Sequence, residues 1–352
     1  MGVELFTTGL SHPAVVERMA ASAEASGWDG MLVVDSQNLA GDPYVGLALA
    51  ARVTSTLRLG TGVTNPATRH PVATAAGIAS VHAASGGRAV LGIGRGDSAL
   101  AHLGFAPAPV ADLERYVTTV RAYLGGRAVP FDELAAYHRD GARPLDALGL
   151  ATAPTDSRLH WLDPSLPSVP VEVVATGPRV LDVAARSADR VLLAVGADPA
   201  RVQWAVDRVR ATSAEVPIGS FVNVVVHDDP DIGRRLAAGG VATFARFSVM
   251  DGRVRTPIDA DSEAVLGKVH GAYDMTMHTR SGSAQAGTIT EEFTDRFAVV
   301  GSAQHCVGRL EALLALGIDR LIVVGPSIDA DAAEAKRARH AMVTEVLPAL
   351  KR

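Results

Sequence analysis

Short runs rich in Val, Leu and Ile recur along the chain with helical patterns between them, first at residues 3–8, 30–34, 57–64 and 88–94. Their starts lie about 25 to 30 residues apart, room for one strand, one helix and two loops. The run Met31-Leu32-Val33-Val34 is apolar at every position, as expected of a parallel strand covered on both faces. Further runs at 171–176, 190–195, 218–226 and 320–324 bring the strands to eight. Eight strands separated by helices predict an α/β fold of the (β/α)8 TIM-barrel type. The first helix is marked by Ser11 as its cap, Pro13 in its first turn and apolar residues at 15, 16, 19, 20 and 23, with Gly27 as its stop.

Two stretches break the rhythm. Residues 126–170 carry Pro, Asp, His and Gly without sustained periodicity, and residues 227–300 hold helix-like pieces around a polar segment at 279–288. Both read as insertions into one barrel domain spanning 1–352. Loops after barrel strands build the active site, so both are expected to be lids over a pocket, with a disordered or dimer-contacting loop as the alternative.

Composition narrows the function. A chain of 352 residues with 48% hydrophobic content buries a large core, and a formal charge of -5 without a Lys/Arg-rich block argues against nucleic acid as a partner. The single cysteine, Cys306, rules out an internal disulfide and reads as helix packing. The start Met1-Gly2-Val3-Glu4 lacks a signal-peptide pattern, and no run of about 18 apolar residues appears, so a cytoplasmic protein without membrane attachment is expected. Eleven histidines show neither H-E-x-x-H nor zinc spacing, and no G-x-S-x-G elbow occurs, which leaves no expectation of a metal or an acyl-transfer nucleophile.

The candidate chemistry lies just past the strands. Strand 2 runs into Asp35-Ser36-Gln37-Asn38, a polar cluster suited to a ligand or, alternatively, to capping the helix that begins near Asp42-Pro43. Strand 3 ends in Gly60-Thr61-Gly62-Val63-Thr64-Asn65-Pro66, where glycines let backbone approach something flat or form a bulge at the rim. Strand 4 ends in Gly92-Ile93-Gly94-Arg95-Gly96-Asp97, which lacks the last glycine of a dinucleotide fingerprint. It reads instead as backbone packed on a planar ring with one acid aimed at the reacting centre, a helix cap being the alternative for Asp97. Strand 5 ends in Thr176-Gly177-Pro178-Arg179 at a helix start, an anion site by its free N–H groups and dipole, with Gly196 from strand 6 beside it.

In this order, these segments resemble the bacterial luciferase-like superfamily, in the branch similar to methylenetetrahydromethanopterin reductase. Asp42-Pro43-Tyr44-Val45, the run from Gly62 to Pro71, Ser85-Gly86-Gly87-Arg88, the run from Gly92 to Asp97, Thr176-Gly177-Pro178 with Ala188-Asp189, and Gly301-Ser302 carry the likeness. The resemblance implies a (β/α)8 barrel, often a homodimer, that binds coenzyme F420 or FMN and acts on a small-molecule substrate. It implies a cis peptide at Gly62-Val63 behind the ring, and cofactor contacts from Asp35, Gly62, Val63, Thr64, Asn65, Gly94, Gly96 and Asp97. It gives Asp35 and Asp97 the catalytic roles, with Asp97 managing a proton. Thr176, Gly177, Pro178, Arg179 and Gly196 would hold the cofactor phosphate, and Ser36, Gln37 and Asn38 would meet substrate. Ser36 stands where several F420-dependent sugar and alcohol dehydrogenases have His, which argues against their alcohol-oxidising chemistry. The expected activity is F420-dependent hydride transfer, with a reduced-FMN two-component monooxygenase and a cofactor-free accessory protein as rivals.

Overall fold

The computed structural model describes residues 2–138 and 140–352. Its strands are β1 (Glu4–Gly9), β2 (Gly30–Val33), β3 (Arg58–Thr61), β4 (Ala89–Ile93), β5 (Val171–Ala175), β6 (Arg190–Leu193), β7 (Ile218–Val226), β8 (Val299–Gly301) and β9 (Arg320–Val324). From β1 to β7 each strand pairs parallel with the next, β7 pairs with β9 and β9 returns to β1. These eight strands close the expected barrel. The ninth, β8, was not legible as a strand: β7 outlasts its barrel partners, pairing with β9 over 219–223 and with β8 over 224–226.

Side-chain alternation sets two interior layers. At the amino end Glu4, Glu172, Arg190 and Arg320 point inward and form a buried ion network. Arg320 Nε and Nη2 donate to Glu4 Oε2 at 2.9 and 2.7 Å, its Nη1 donates to Glu172, and Arg190 bridges Glu172, Glu4 and Asp319. Two residues further along, Phe6, Leu32, Val90, Leu192, Phe221 and Ile322 fill the barrel with apolar side chains. The Arg320 guanidinium lies 4.2 Å from the Phe6 ring centroid and joins the layers. The barrel is thus sealed from below, so its interior is reachable only from the carboxyl ends.

Helix starts follow the expected grammar with one exception. Asp42, His70 and Asp198 cap the helices that begin at Pro43, Pro71 and Pro199. The first helix, Pro13–Ala25, is capped by His12 rather than Ser11. Ser11 Oγ donates to Val34 O at 3.0 Å and Gly41 O at 2.7 Å, tying the loop after β1 to the loop after β2.

The two insertions differ in kind. Residues 126–170 follow the helix Val110–Leu124 and lead into β5, and a helix-to-strand connection reaches the barrel at its amino end. They hold short turns such as Phe131–Leu134, and Tyr137 packs edge-on to Tyr116 and His70 outside the barrel. Residues 227–300 follow β7 and carry the helices Pro230–Phe247, Ala260–Ala272 and Glu291–Phe297. Among the described residues no helix is long and apolar enough to cross a membrane.

The base network generates a prediction. Glu172→Ala removes the carboxylate shared by Arg190 and Arg320 and leaves both leaning on Glu4 alone within the layer; breaking a buried pair costs up to about 3–5 kcal/mol, to be read as a lower urea midpoint. An unchanged midpoint would remove the network from barrel closure. Glu4 adds a pH dependence: desolvation pushes its pKa up, but Arg320, Arg58 and Arg190 outweigh this and hold it below its ordinary 4.5. Its stabilisation is therefore complete above that value and is lost as pH falls through the depressed one.

Candidate active site

The carboxyl ends of all eight barrel strands contribute to a cavity of about 1690 Å³, which continues into a groove between helices Pro13–Ala25 and Ala332–Ala341. Single small ligands fill roughly 300–1,000 Å³, so cavity and groove together exceed what one such ligand needs. The far wall comes from the second insertion, through Thr243, Phe244, Phe247, Met250 and His278.

One face is backbone shaped by β3 and β4. The Gly62–Val63 peptide is cis, at the expected position. Gly62 N donates to Val33 O at 2.7 Å and Thr64 N to Gly92 O at 3.0 Å, which holds the turn between β2 and β4. The β4 glycines make room for it: a Cβ on Gly92 would lie 2.2 Å from Thr61 O, and one on Gly94 would lie 3.1 Å from Val63 Cγ2. Gly62, Val63 and Gly94 thus present a nearly side-chain-free wall to the cavity.

Polar atoms flank this wall. Asp35 is 3% exposed; Gln37 Nε2 donates to its Oδ1 at 2.8 Å. Its Oδ2, Tyr44 Oη, Thr64 Oγ1 and Asn65 Nδ2 are buried without hydrogen-bond partners in the protein. Asp35 and Asn65 belong to the cavity wall, and each holds one unpartnered polar atom buried within it. Burial pushes the Asp35 pKa up, and the nearby Thr64 hydroxyl and Arg69 offset this only in part.

Across the cavity, Asp97 meets Arg246 from the second insertion. Arg246 Nη2 donates to Asp97 Oδ1 at 3.1 Å and Nε to Oδ2 at 3.2 Å, and the guanidinium lies 4.5 Å from the Tyr273 ring centroid. Asp97 precedes the short helix Ser98–Ala101 but makes no capping hydrogen bond, so the capping alternative is not what this side chain does. At the third corner, helix Pro178–Ser187 begins at Gly177 with no side chain capping its N–H groups. A Cβ on Gly177 would meet nothing within 4 Å, and Arg95, Arg179 and Arg253 line the cavity there.

The luciferase-like monooxygenase family model matches residues 5–320. The chain belongs to this family. Among curated relatives of this luciferase-like protein, the 5,10-methylenetetrahydromethanopterin reductase of Methanolobus tindarius is 26% identical, covering 88% of this chain and 90% of its own length. The same enzyme of Archaeoglobus fulgidus is 28% identical over 94% and 93%. The solved coenzyme F420-dependent tetrahydromethanopterin reductase of Methanopyrus kandleri superposes with a TM-score of 0.70 at 24% identity, each chain covered completely, which shows a shared fold.

Within this luciferase-like barrel the expected residues sort into two groups. Asp35, Ser36, Gly62, Val63, Asn65, Gly94, Gly96, Asp97, Thr176, Gly177, Pro178 and Arg179 all line the cavity. Four others do not. Thr64 is wholly buried behind the wall, and Gln37 and Asn38 are exposed outside it. Gly196 is needed for packing instead: at φ +84 it sits against Phe297, whose ring a Cβ would meet at 2.7 Å. The first insertion places none of its described residues at the cavity, which corrects the expectation of two lids; only the second insertion covers the site. Arg246, Tyr273 and His278 escaped the sequence reading, because nothing local marks residues that meet only across the cavity.

The fit of Val63 to β4 is testable by a double-mutant cycle. Gly94→Ala crowds Val63 and destabilises the protein by about 1–3 kcal/mol, and Val63→Ala in the same chain returns part of that loss as a coupling of about 0.5–3 kcal/mol. Strictly additive effects in chemical denaturation would show that the two do not touch.

Proposed function

We propose that this protein is a coenzyme F420-dependent oxidoreductase that moves a hydride between the deazaflavin and a small organic substrate. The observation that carries the reading is the spacing of unlike features around one cavity: a side-chain-free wall flanked by an unpartnered acceptor and donor, and a free helix start with arginines at another corner. A planar heterocycle with a phosphate-bearing side chain has that distribution of chemistry. Asp35 and Asn65 would meet the polar edge of the ring, Gly62, Val63 and Gly94 its face, and the N–H groups opening helix Pro178–Ser187 the phosphate, with Arg179 beside them. The name of the solved Methanopyrus kandleri reductase, coenzyme F420-dependent, favours a deazaflavin. Reduced FMN fits the same wall and remains the competing reading.

The bound deazaflavin supplies the hydride acceptor or donor at its C5 carbon. The protein supplies position and a dry surrounding. Phe221 on the barrel floor and Phe244 and Phe247 on the far wall meet tilted and edge-on with centroids 5.9 and 5.3 Å apart, an apolar surface against which substrate would lie. Ser36, hydrogen-bonded to Ser98 at 3.0 Å, would present a hydroxyl at the rim. The Asp97–Arg246 pair sets the charge of the wall facing the reacting carbon. A homodimer belongs to this proposal, since Val45 and Val53 lie exposed on one side of helix Pro43–Val53.

Titration of the protein with F420 and with FMN, read by fluorescence quenching, decides between the readings. F420 is expected to bind at micromolar concentration and FMN more weakly. Tight binding of FMN alone would reverse the assignment, and binding of neither would leave an accessory protein. Asp97→Asn should retain F420 affinity and lower turnover about tenfold or more, since hydrogen bonds to charged groups contribute about 1.5–3 kcal/mol.

A further inference from the structure

The second insertion brings to the cavity an imidazole that the reading above leaves without work. His278 lines the cavity near Asp97 and Arg246. The loop that carries it is held from three sides. Asp274 Oδ1 accepts from Thr276 N at 2.8 Å; Gln285, 1% exposed, accepts from Asp274 N and donates to Asp274 O and Met277 O. Asp329, from beyond β9, accepts from Ser281 N at 2.6 Å and Gly282 N at 3.1 Å. On helix Pro230–Phe247, Gly239 lets the loop come close: a Cβ there would lie 2.3 Å from Thr279 O. Thr279, next to His278, has φ +66, the left-handed conformation that a branched side chain resists, and among the described residues no other non-glycine residue adopts a positive φ. Such a conformation persists where the surroundings impose it, and functional sites are where it collects.

Neighbouring hydroxyls orient the ring. Thr243 Oγ1 donates to Gly239 O at 2.9 Å and lies close to Tyr273. Tyr273 Oη lies 2.7 Å from His278 Nδ1, and either atom can supply the shared proton. With the proton on Nδ1, Nε2, which has no protein partner among the described residues, is the basic nitrogen. The groups around it are Asp97 and His102 after β4, Arg246 and Thr243 on helix Pro230–Phe247, and Tyr273 on its own segment. Burial holds the His278 pKa below the ordinary histidine value; Asp97 draws it up, while Arg246 and His102 push it further down. Burial therefore favours the neutral ring.

We infer that His278 is the catalytic group that takes the substrate's proton, and that the substrate carries an O–H or N–H on the carbon that gives up hydride. This rests on the F420 reading. In the oxidative direction the C–H bond breaks and its electron pair leaves with the hydride to the deazaflavin. The O–H or N–H pair becomes the second bond to that carbon, and the released proton passes to Nε2. Reduction reverses each step. Asp97 and Arg246 then hold the wall beside the imidazole, and Tyr273 positions it.

The experiment uses His278→Gln, His278→Gly and Tyr273→Phe in the full chain. In ¹⁵N-histidine NMR spectra, the signal missing from His278→Gln should show the Nδ1-protonated neutral tautomer at pH 7 and titrate below the ordinary histidine range, and Tyr273→Phe should mix the tautomers. An Nε2-protonated ring, or a charged one at pH 7, would overturn the inference. Ser36 takes the place of the histidine of several F420-dependent alcohol dehydrogenases, so the base here would come from the opposite wall as His278, and wild-type protein with F420 should then oxidise members of a panel of secondary alcohols and amines running from isopropanol to cyclohexylamine. His278→Gln should lower that turnover about 100-fold or more, the usual contribution of a positioned acid–base group, with F420 quenching unchanged, and added imidazole should partly restore His278→Gly. If F420 binds but no panel member is oxidised, or if His278→Gln turns over like wild type, the inference fails alone. If F420 does not bind, the cofactor reading fails and takes the inference with it.

Discussion

Everything in this molecule rests on the barrel being closed at one end. Arg320 sits on β9, the strand that joins the last part of the chain to the first, and its guanidinium reaches Glu4 on β1 and Glu172 on β5 while stacking over Phe6. An uncompensated charge could not remain in that position, so the network and the apolar layer above it are interdependent. Together they set the floor of the cavity. With the interior filled to the level of Phe6 and Phe221, ligands can enter only among the strand ends, where loops differ in chemistry and each can be altered without disturbing the floor.

The two halves of the cavity wall are built by different means. On the side of β2, β3 and β4 the wall is backbone, given its shape by paired strands and by glycines that let Val63 lie close. On the opposite side it is side chains from a long insertion, ordered by ion pairs, aromatic contacts and hydrogen bonds such as Tyr273 to His278. Backbone geometry suits a part that must match a fixed planar shape. Side chains suit a part that must match a variable one.

This division also explains what could be seen in the sequence. The strands were readable because a parallel strand covered on both faces has no polar positions to interrupt it, as in β2. Asp42 and the prolines at helix starts were readable because caps act within a few residues. Gly196 shows the limit. A glycine that accommodates a distant ring, here Phe297, has the same local signature as one that accommodates a ligand. Gln37 and Asn38 shared a cluster with Asp35, yet both are exposed outside the cavity, Gln37 reaching back only with its amide to Asp35. The first insertion was misplaced for a different reason: it follows a helix rather than a strand, so it runs along the outside of the barrel, reaching His70 through Tyr137 but not the cavity. Arg246, Tyr273 and His278 had no such clue, since their meaning comes from contacts with β4 and with one another across the cavity.

The short strand β8 has a bearing on how this fold varies. Its parallel pairing with the end of β7 anchors the exit of segment 227–298 against the strand from which the segment leaves, the two ends offset by about four residues along the ladder. A loop whose ends are already anchored can lengthen at little entropic cost, because closure grows only logarithmically with its length. The segment is therefore a cassette mounted on a two-strand bracket. Its helices can be exchanged or extended without asking the barrel to readjust, so one redox scaffold can be refitted for a new substrate by changes confined to a single stretch of chain.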